Sequence, residues 1–392
     1  MATGPLDGMR VLDFTTTIAG PYCTRLMADL GAEVIKIETG EGDMMRTRPP
    51  LRDGASTSFG QLNAGKQSIV LDLKQPAARE VVLRLLTTCD FLVENFRPGV
   101  MRRFGLDYET LAKRHQELIY CSISGYGQTG PSSELAAYAP AIHAASGFDL
   151  AHMAYQPGRD RPDNCGIYVA DIVSGTYAFG AIMAALAHRH HTGLGQHIDV
   201  SMLEAMLNLM VAEVQGAQFP VAPPGRPMFG PVRTQDGFIM PAVASEKSFV
   251  GICQAAGHPE WTSDPRFARY GDRRNNWGEF VDLLEEWSSG QSTVTCQAAF
   301  DAAGVPSSPY RTVREVLEDP QLEHRGALAE VRDAGGSFKV VRPPFRLSAA
   351  PVEVGGFAAG LGQHSREILE MAGFVADEIE KMCAEGTVRL AE

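Results

Sequence analysis

Short apolar runs alternate with longer amphipathic stretches over the first 200 residues of the chain. The runs are rich in β-branched residues and predict strands: RVLDF (10–14), EVIKIE (33–38), SIVLDL (68–73), DFLVENF (90–96), LIYCSISG (118–125) and HIDV (197–200). Between them, PYCTRLMADLG (21–31) and AAREVVLRLLTTC (77–89) show the apolar spacing of helices. Strands that alternate with helices of this length predict an α/β fold, in which helices cover both faces of a parallel sheet.

One junction in this pattern carries a carboxylate. The stretch GIYVADIVSGTYAFGAIMAAL (166–186) places Asp171 between an apolar, β-branched run and a series of small apolar residues that predict a helix to about His191. One interpretation makes Asp171 the N-cap of this helix, a position that Asp favours. The other makes it a reactive carboxylate, because the junction of strand and helix opens into the ligand crevice of such a sheet. The apolar stretch 172–187 is too short for a comfortable bilayer span.

A change of composition divides the chain. The segment FPVAPPGRPMFGPV (219–232) is rich in proline and glycine and predicts a linker. We expect an N-terminal part of a large domain over 1–220, a linker over 221–232 and a small α+β domain over 233–330. Residues 331–392 would return to the large domain and end in two helices.

The composition narrows the possible functions. The chain has 392 residues, with 35 Lys+Arg against 47 Asp+Glu. The resulting net charge of −12 does not indicate a protein that binds nucleic acid, which typically has a basic surface. Its seven cysteines form no CxxC pair, which favours free thiols in a reducing compartment. The N-terminus lacks the pattern of a secretory signal, so we expect a cytoplasmic protein that has no membrane partner.

Three motifs have an ordinary structural explanation. The first turn, FTTTIAGPYC, lacks the G-x-G-x-x-G of dinucleotide-binding proteins, so Glu38 is interpreted as a strand-end carboxylate and no NAD is expected. HRHH (188–191) is interpreted as a solvated helix end and not a metal site. GYGQTGP (125–131) follows a strand directly and is either a plain turn or the wall of a ligand crevice.

The motifs together resemble one family. LNAGKQSIVLDLK, VENFRPG, GYGQTGP and VADIVSG occur in the order typical of class III CoA-transferases, which include formyl-CoA and carnitine CoA-transferases and the related 2-methylacyl-CoA racemases. The resemblance extends over essentially the whole chain. It implies a Rossmann-like large domain, a smaller α+β domain, and a ring-shaped chain that interlocks with a second subunit as a homodimer.

The resemblance also implies a chemistry, for which Asp171 is the expected nucleophile. The enzyme would move CoA from an acyl-CoA thioester to a free carboxylic acid through an aspartyl-acyl anhydride and an aspartyl-CoA thioester. Backbone N–H groups of the glycine-rich motif (Gly125, Tyr126, Gly127 and Gln128) and those after Asp171 are the expected oxyanion donors.

The residues expected to bind coenzyme A are carried over position by position. They are Ile18, Ala19, Leu71 to Lys74, Asn95, Phe96, Arg97 and Arg103, with Arg103 near the phosphates. Tyr138, which matches the transferase pattern, is a further residue expected to bind CoA. The chain departs from some members of the family at Thr39, where a basic residue can occur, and at Ala136, where a lysine can occur, so a charged contact is not expected at either position.

The reaction and the substrate leave alternatives. Racemases of this family need a histidine where this chain has Tyr138, and His143 lies five residues further on, where a structural or pocket-lining role is expected. Two alternatives to a transferase therefore stay open. One is a racemase or isomerase, and the other is a non-catalytic CoA-binding protein in which Asp171 only caps a helix. Met228 and Phe229 hint at an apolar acyl group, and Tyr155, Arg159 and Arg161 at a second carboxylate, although a linker and a solvated loop explain them equally well.

Overall fold

A computed structural model describes residues 3–156, 158–219 and 228–391 of the chain. The strands are β1 Arg10–Asp13, β2 Glu33–Glu38, β3 Leu51–Arg52, β4 Ala55–Ser56, β5 Gln67–Leu71, β6 Phe91–Glu94, β7 Ile119–Ser124, β8 His197–Ser201, β9 Val232–Arg233, β10 Phe238–Pro241, β11 Ser307–Pro309, β12 Leu328–Asp333, β13 Gly336–Val341 and β14 Val388–Arg389.

The α-helices of the described residues follow in chain order. They are α1 Ala19–Asp29, α2 Thr57–Asn63, α3 Pro76–Leu86, α4 Val100–Arg103, α5 Tyr108–Leu111, α6 Ala139–Ala145, α7 Phe148–Ala154, α8 Val169–Thr192, α9 Met202–Leu209, α10 Val211–Gly216, α11 Glu246–Ala255, α12 Tyr270–Asn275, α13 Trp277–Ser288, α14 Thr293–Ala302, α15 Val313–Leu317, α16 Pro320–His324, α17 Ser365–Met371 and α18 Ala376–Ala384.

The chain divides into two units. The first comprises Met1–Met153, Asp160–Val211 and Glu323–Glu392, and the second comprises Ala154–Arg159 and Ala212–Leu322. Residues 220–227, which include positions 221–227 of the expected linker, lie outside the described residues.

The first unit contains a sheet of seven strands in the order β14-β5-β2-β1-β6-β7-β8. Six strands are parallel and the short β14 pairs with β5 in the antiparallel sense. Along the chain, β2 and β5 are added on one side of β1, and β6, β7 and β8 are then added on its other side. This reversal between β1 and β6 is a topological switch point, where open α/β sheets form a crevice at the carboxyl ends of their strands.

Both faces of the sheet are covered, as its continuous apolar strands predict. One face packs a cluster that includes Leu12, Leu92 and Tyr120 with residues of α3, α17 and α18. The other face packs Val11 and Ile123 against α1 and α8. The mostly parallel α/β sheet expected from the alternating pattern is therefore present.

Helix α8 lies close to α1 because its facing residues are small. A Cβ atom built on Gly175 would lie 2.5 Å from the Ala19 carbonyl oxygen, whereas Gly180 on the same helix has nothing within 4 Å. The helix extends beyond the apolar stretch 172–187 to 24 residues, and by length and composition alone it could cross a membrane. In the structure α8 packs against α1, α6, α9 and β7, which accounts for its small-residue face.

The second unit is a separate α+β core. A three-stranded antiparallel sheet, β11-β10-β9, packs with α11, α13 and α14. Its centre is aromatic, with Phe280 contacting Phe249, Trp261, Phe267 and Trp277. All three tryptophans of the chain lie in this unit.

Candidate active site

A cavity of about 160 Å³ lies at the switch point of the first unit. Three turns that follow β1, β6 and β7 form one part of its wall, and the segment before α6 and the start of α8 form the rest. Seven of the predicted site residues line it: Ala19, Asn95, Phe96, Arg97, Gly125, Tyr138 and Asp171. The fold therefore gathers residues that are far apart in the sequence around one carboxylate.

Asp171 is the only carboxylate that lines this cavity among the described residues. It is the third residue of α8 and not its N-cap, which is Tyr168, so the capping interpretation was wrong. The half-buried carboxylate has no ion pair within the described chain, and it accepts a hydrogen bond from the Ala19 backbone N–H. Burial raises the pKa of Asp171 to about 6, and the Ala19 N–H opposes this rise. The group is ionised at neutral pH but poorly solvated, as a nucleophile requires.

The turn after β1 is held rigidly beside Asp171. The Asn95 side chain accepts from the Thr16 N–H and donates to the Thr16 carbonyl, each at 2.8 Å. Thr17 has a left-handed backbone (φ 72°), and its N–H donates to both carboxylate oxygens of Asp43 at 3.2 Å. Because Asn95 uses both its amide groups on the backbone, its role in this structure is to shape the turn that presents Ala19.

Buried charged residues also stabilise the turn after β1. Lys66 Nζ lies 3.0 Å from the Asp13 carboxylate and also donates to Thr24, Asn63 and the Pro21 carbonyl. Burial lowers the pKa of Lys66 to about 8, because desolvation outweighs the attraction of Asp13. Each charge here is paired and hydrogen-bonded, which is the condition for burying it.

Glu38 is part of a second buried ion pair. Both of its carboxylate oxygens bind Arg46, at 2.7 and 2.8 Å, and Ser68 and the Asp43 N–H complete its hydrogen bonds. Glu38 is thus fully occupied by the protein and has a structural role, in agreement with the absence of a dinucleotide motif.

The cationic side chains among the predicted CoA-binding residues have no intramolecular ion pair. The side chains of Lys74, Arg97 and Arg103 are exposed and form no ion pair with any described residue. By contrast, the neighbouring Arg102 pairs with Glu109 at 3.3 Å. Unpaired guanidinium groups suit the recognition of phosphate.

Two predicted CoA-binding residues are not positioned for side-chain contact. Leu71 is fully buried in the core and its backbone pairs with Val388 of β14. Ile18 is 5% exposed and packs in a small cluster with Met45 and Phe59. Both side chains therefore pack in the core, and contact of these two residues with CoA stays a prediction. Ala136, where some relatives have lysine, lines the Asp171 cavity and adds no charge.

The glycine-rich motif contributes less to the cavity than expected. Gly125 lines it, but the Gln128 N–H already donates to Asp199 at 2.9 Å. Gly127 is buried with a positive φ, and Tyr126 packs in the core under α8. The N–H of Ile172, directly after Asp171, donates to the Tyr168 carbonyl within the first turn of α8. The N–H groups of Gln128 and Ile172 thus already have acceptors within the protein, and the prediction that the motif stabilises an oxyanion stays a prediction.

A separate polar cavity of about 350 Å³ lies beyond Arg97. Glu94, Ser122 and Asp199 are register partners on three adjacent strands and line it together with His197 and Gln128. Burial raises the pKa of Glu94 to about 7, and its carboxylate accepts the Phe96 N–H at 2.9 Å. This carboxylate therefore braces the turn that carries Phe96 and Arg97.

Sequence reasoning missed several lining residues, namely Thr16, Thr17, Pro98, Ile123, Ser124, Ser133, Leu135, Ala137 and Met202. Ser124 is 7% exposed, and its hydroxyl has no hydrogen-bond partner among the described residues. The one available signal was position, since Ser124 and Thr16 follow predicted strands at the carboxyl edge of the sheet.

The other sequence motifs do not join this cavity. No group of metal-binding side chains is found within the described residues. In HRHH, Arg189 binds Asp90 at 3.0 Å and so ties the end of α8 to the loop before β6. In the second unit, Tyr155 donates to Glu213, and with Phe229 it lines a cavity of about 940 Å³. Met228 is buried in the core of that unit.

Comparison with known proteins decides the family. Residues 6–365 match the family described as CoA-transferase family III. The chain is a family III CoA-transferase. The succinyl-CoA:glutarate CoA-transferase of Mus musculus is 33% identical over 400 residues, which cover 99% of this chain and 91% of that protein. The acetyl-CoA:oxalate CoA-transferase of Acetobacter aceti is 36% identical over 363 residues, 90% of each chain.

Solved structures agree with this assignment. A CaiB/BaiF family protein from Brucella suis superposes on this transferase with a TM-score of 0.83 at 32% identity. The match covers 95% of this chain and 100% of that one. The family resemblance that the motifs indicated is therefore confirmed. Transferases of this family use CoA thioesters as substrates.

Proposed function

We propose that this transferase moves CoA between carboxylic acids by covalent catalysis on Asp171. An Asp171 oxygen attacks the thioester carbonyl, the C–S bond breaks, and CoA thiolate leaves an aspartyl-acyl anhydride. The thiolate then attacks the Asp171 carbonyl, which releases the first acid and leaves an aspartyl-CoA thioester. The acceptor carboxylate repeats both steps in reverse order and regenerates Asp171. No proton or electron is gained or lost overall, and the thioester energy is retained.

One observation carries this proposal. The Asp171 carboxylate is half-buried, has no ion pair among the described residues, and lines the same cavity as Asn95, Phe96 and Arg97. By contrast, Asp13, Glu38 and Asp43, which line no part of this cavity, each form an ion pair with a Lys or Arg side chain. The Ala19 N–H is a single neutral donor, which leaves lone pairs of Asp171 open toward the cavity.

We propose dicarboxylates as the first acceptors to test. Relatives that cover nearly the whole chain are named for succinyl-CoA with glutarate and for acetyl-CoA with oxalate. Unpaired Arg97 at the cavity supplies a cation for an anionic substrate group, whether the phosphates of CoA or a second carboxylate.

An isotope experiment tests the covalent route. In this mechanism each acceptor leaves one oxygen on Asp171, and the next released donor acid carries that oxygen away. With an ¹⁸O-labelled acceptor, the released donor acid should therefore gain ¹⁸O, and borohydride should trap the aspartyl-CoA thioester on Asp171. Asp171→Asn should abolish both signals, whereas Glu134→Gln, an exposed carboxyl group in the loop beside the cavity, should retain them.

The outcomes separate the competing functions. Exchange without ¹⁸O transfer would refute the anhydride route. A racemase would instead exchange the α hydrogen with deuterated water and need no acceptor. If the protein binds acyl-CoA but catalyses neither CoA exchange nor exchange of the α hydrogen, it is a non-catalytic CoA-binding protein.

We further propose that the active form is the interlocked homodimer and that it works in the cytoplasm. Support for a dimer comes from large apolar side chains left exposed along α8, α9 and α10: Tyr177 is 49%, Leu207 41% and Val211 73% exposed. Light scattering after gel filtration should give twice the mass of the 42.4 kDa chain. A monomer that retains full exchange activity would refute the proposed dimer. Cell fractionation tests the location.

A further inference from the structure

Helix α8 begins without a cap from its own side chains. Its N-cap residue, Tyr168, forms no side-chain hydrogen bond to the helix. The first N–H groups of a helix have no partner within the helix and need an acceptor from elsewhere when they are buried. Ala170, the residue before Asp171, is fully buried, so water cannot supply that acceptor.

His143 of α6 supplies it. Its Nε2 accepts the Ala170 N–H at 3.1 Å, across 27 residues of sequence. The ring is 2% exposed and packs against Phe148. Since Nε2 accepts, the proton of the neutral ring lies on Nδ1. Desolvation lowers the pKa of His143 below its usual value, which keeps the ring neutral and Nε2 free to accept.

This contact joins two walls of the cavity. Helix α6 starts directly after Tyr138, and residues 135–138 line the cavity, while α8 carries Asp171 two positions after its first residue. An Asp in the first turn of a helix can act as the cap itself, and its carboxylate then points at the helix N–H groups. With the Ala170 N–H already satisfied by His143, the carboxylate of Asp171 is left to face the cavity.

We propose that His143 is the positioning residue for Asp171, acting as an external cap that fixes the first turn of α8 in its reactive orientation. The inference rests on the proposed role of Asp171 and adds a residue outside the cavity lining. His143 itself touches no substrate. The imidazole contributes only a hydrogen-bond acceptor for the Ala170 N–H. An uncharged side chain of similar size that places an acceptor at the same position should therefore replace it.

Two substitutions of similar bulk separate the acceptor from the packing. His143→Gln keeps an acceptor oxygen, whereas His143→Leu fills the space and accepts nothing. His191→Gln, at the exposed far end of α8, is the matched control. Hydrogen exchange, measured by mass spectrometry on the peptide that spans 166–174, reports the first turn of α8 directly and needs no catalysis.

In His143→Leu, exchange of this peptide should accelerate by about 5- to 150-fold, the range for a buried N–H that loses its acceptor. The kcat of CoA exchange should fall by about tenfold or more, while the KM for acyl-CoA stays within about twofold, because the residues expected to bind CoA are untouched. His143→Gln and His191→Gln should behave like the wild type in all three measurements.

Two results would overturn the inference. One is unchanged exchange and kcat in His143→Leu. The other is an equal loss in His143→Gln and His143→Leu, which would show that bulk or ring shape matters and not the acceptor. If the wild type forms no Asp171 adduct, the proposed function fails, but the hydrogen-exchange comparison still decides whether His143 holds the first turn.

Discussion

The close contact between α1 and α8 predicts how a substitution at Gly175 changes the free energy of unfolding. Substitution of Gly175 by Ala places a methyl group 2.5 Å from the Ala19 carbonyl oxygen, where ordinary contacts begin at 3.4 Å. The helices must therefore separate by roughly 1 Å, since neither atom belongs to a flexible side chain. Such overpacking costs about 1–3 kcal/mol.

The same substitution at Gly180 isolates that cost. Gly180 lies on the same helix with nothing within 4 Å, so Gly180→Ala should only gain helix propensity, about 1 kcal/mol. Both variants share this gain, and Gly175→Ala should therefore be less stable than Gly180→Ala by about 1–3 kcal/mol. Urea unfolding followed by circular dichroism measures the difference. Tryptophan fluorescence is unsuitable, because all three tryptophans lie in the second unit and Gly175 in the first.

The contact also affects the site, because Ala19 donates its N–H to Asp171. Displacement of α1 weakens this bond, so the pKa of Asp171 should rise above about 6 and CoA exchange should need a higher pH in Gly175→Ala. Gly180→Ala should keep the pH profile of the wild type. Equal stability and equal pH profiles of the two variants would refute the close approach of the helices and its link to the site.

Three further predictions follow from the charges. Because burial raises the pKa of Asp171 from 3.8 to about 6, CoA exchange should fall as the pH drops through 6. The native state binds more protons than the unfolded state between these two values, so Asp171→Asn should stabilise the protein more at pH 8 than at pH 4 in urea titrations. Lys66→Met removes the ion-pair partner of the buried Asp13 carboxylate, which keeps the weaker attraction of Lys36 and hydrogen bonds from Thr15 and Thr24, and should lower the free energy of unfolding by up to about 3–5 kcal/mol; a change below about 1 kcal/mol would contradict the pairing. Arg103→Ala should raise the KM for acyl-CoA by about tenfold with little change in kcat, whereas Arg102→Ala, whose side chain is already paired, should not.

Much of the first unit could be predicted from the order of residues. Alternation of apolar runs and helical spacing located β2 at 33–38 without error, and β1, β6 and β7 within three residues at each end. These signals are local, since burial on both faces of a sheet demands a continuous apolar strand. The motifs that indicated the family are local in the same sense, because each consists of a strand and the turn that follows it.

The details of the site depended on contacts that no local pattern contains. Asp171 was a good N-cap candidate by its residue type, yet the acceptor at the helix start comes from His143, 27 residues earlier. The Gln128 N–H looked free in a glycine-rich turn, but Asp199, from a strand 71 residues later, occupies it.

The sequence by itself therefore determined the α/β pattern and the family and singled out Asp171 as the candidate nucleophile, because residue type and spacing are sufficient for these. Only the tertiary structure decided which N–H groups are free, which cations are unpaired and what holds Asp171 in place. The reason is physical: a hydrogen bond or an ion pair is satisfied by whichever group the fold brings within 3 Å or so, whatever its distance along the chain.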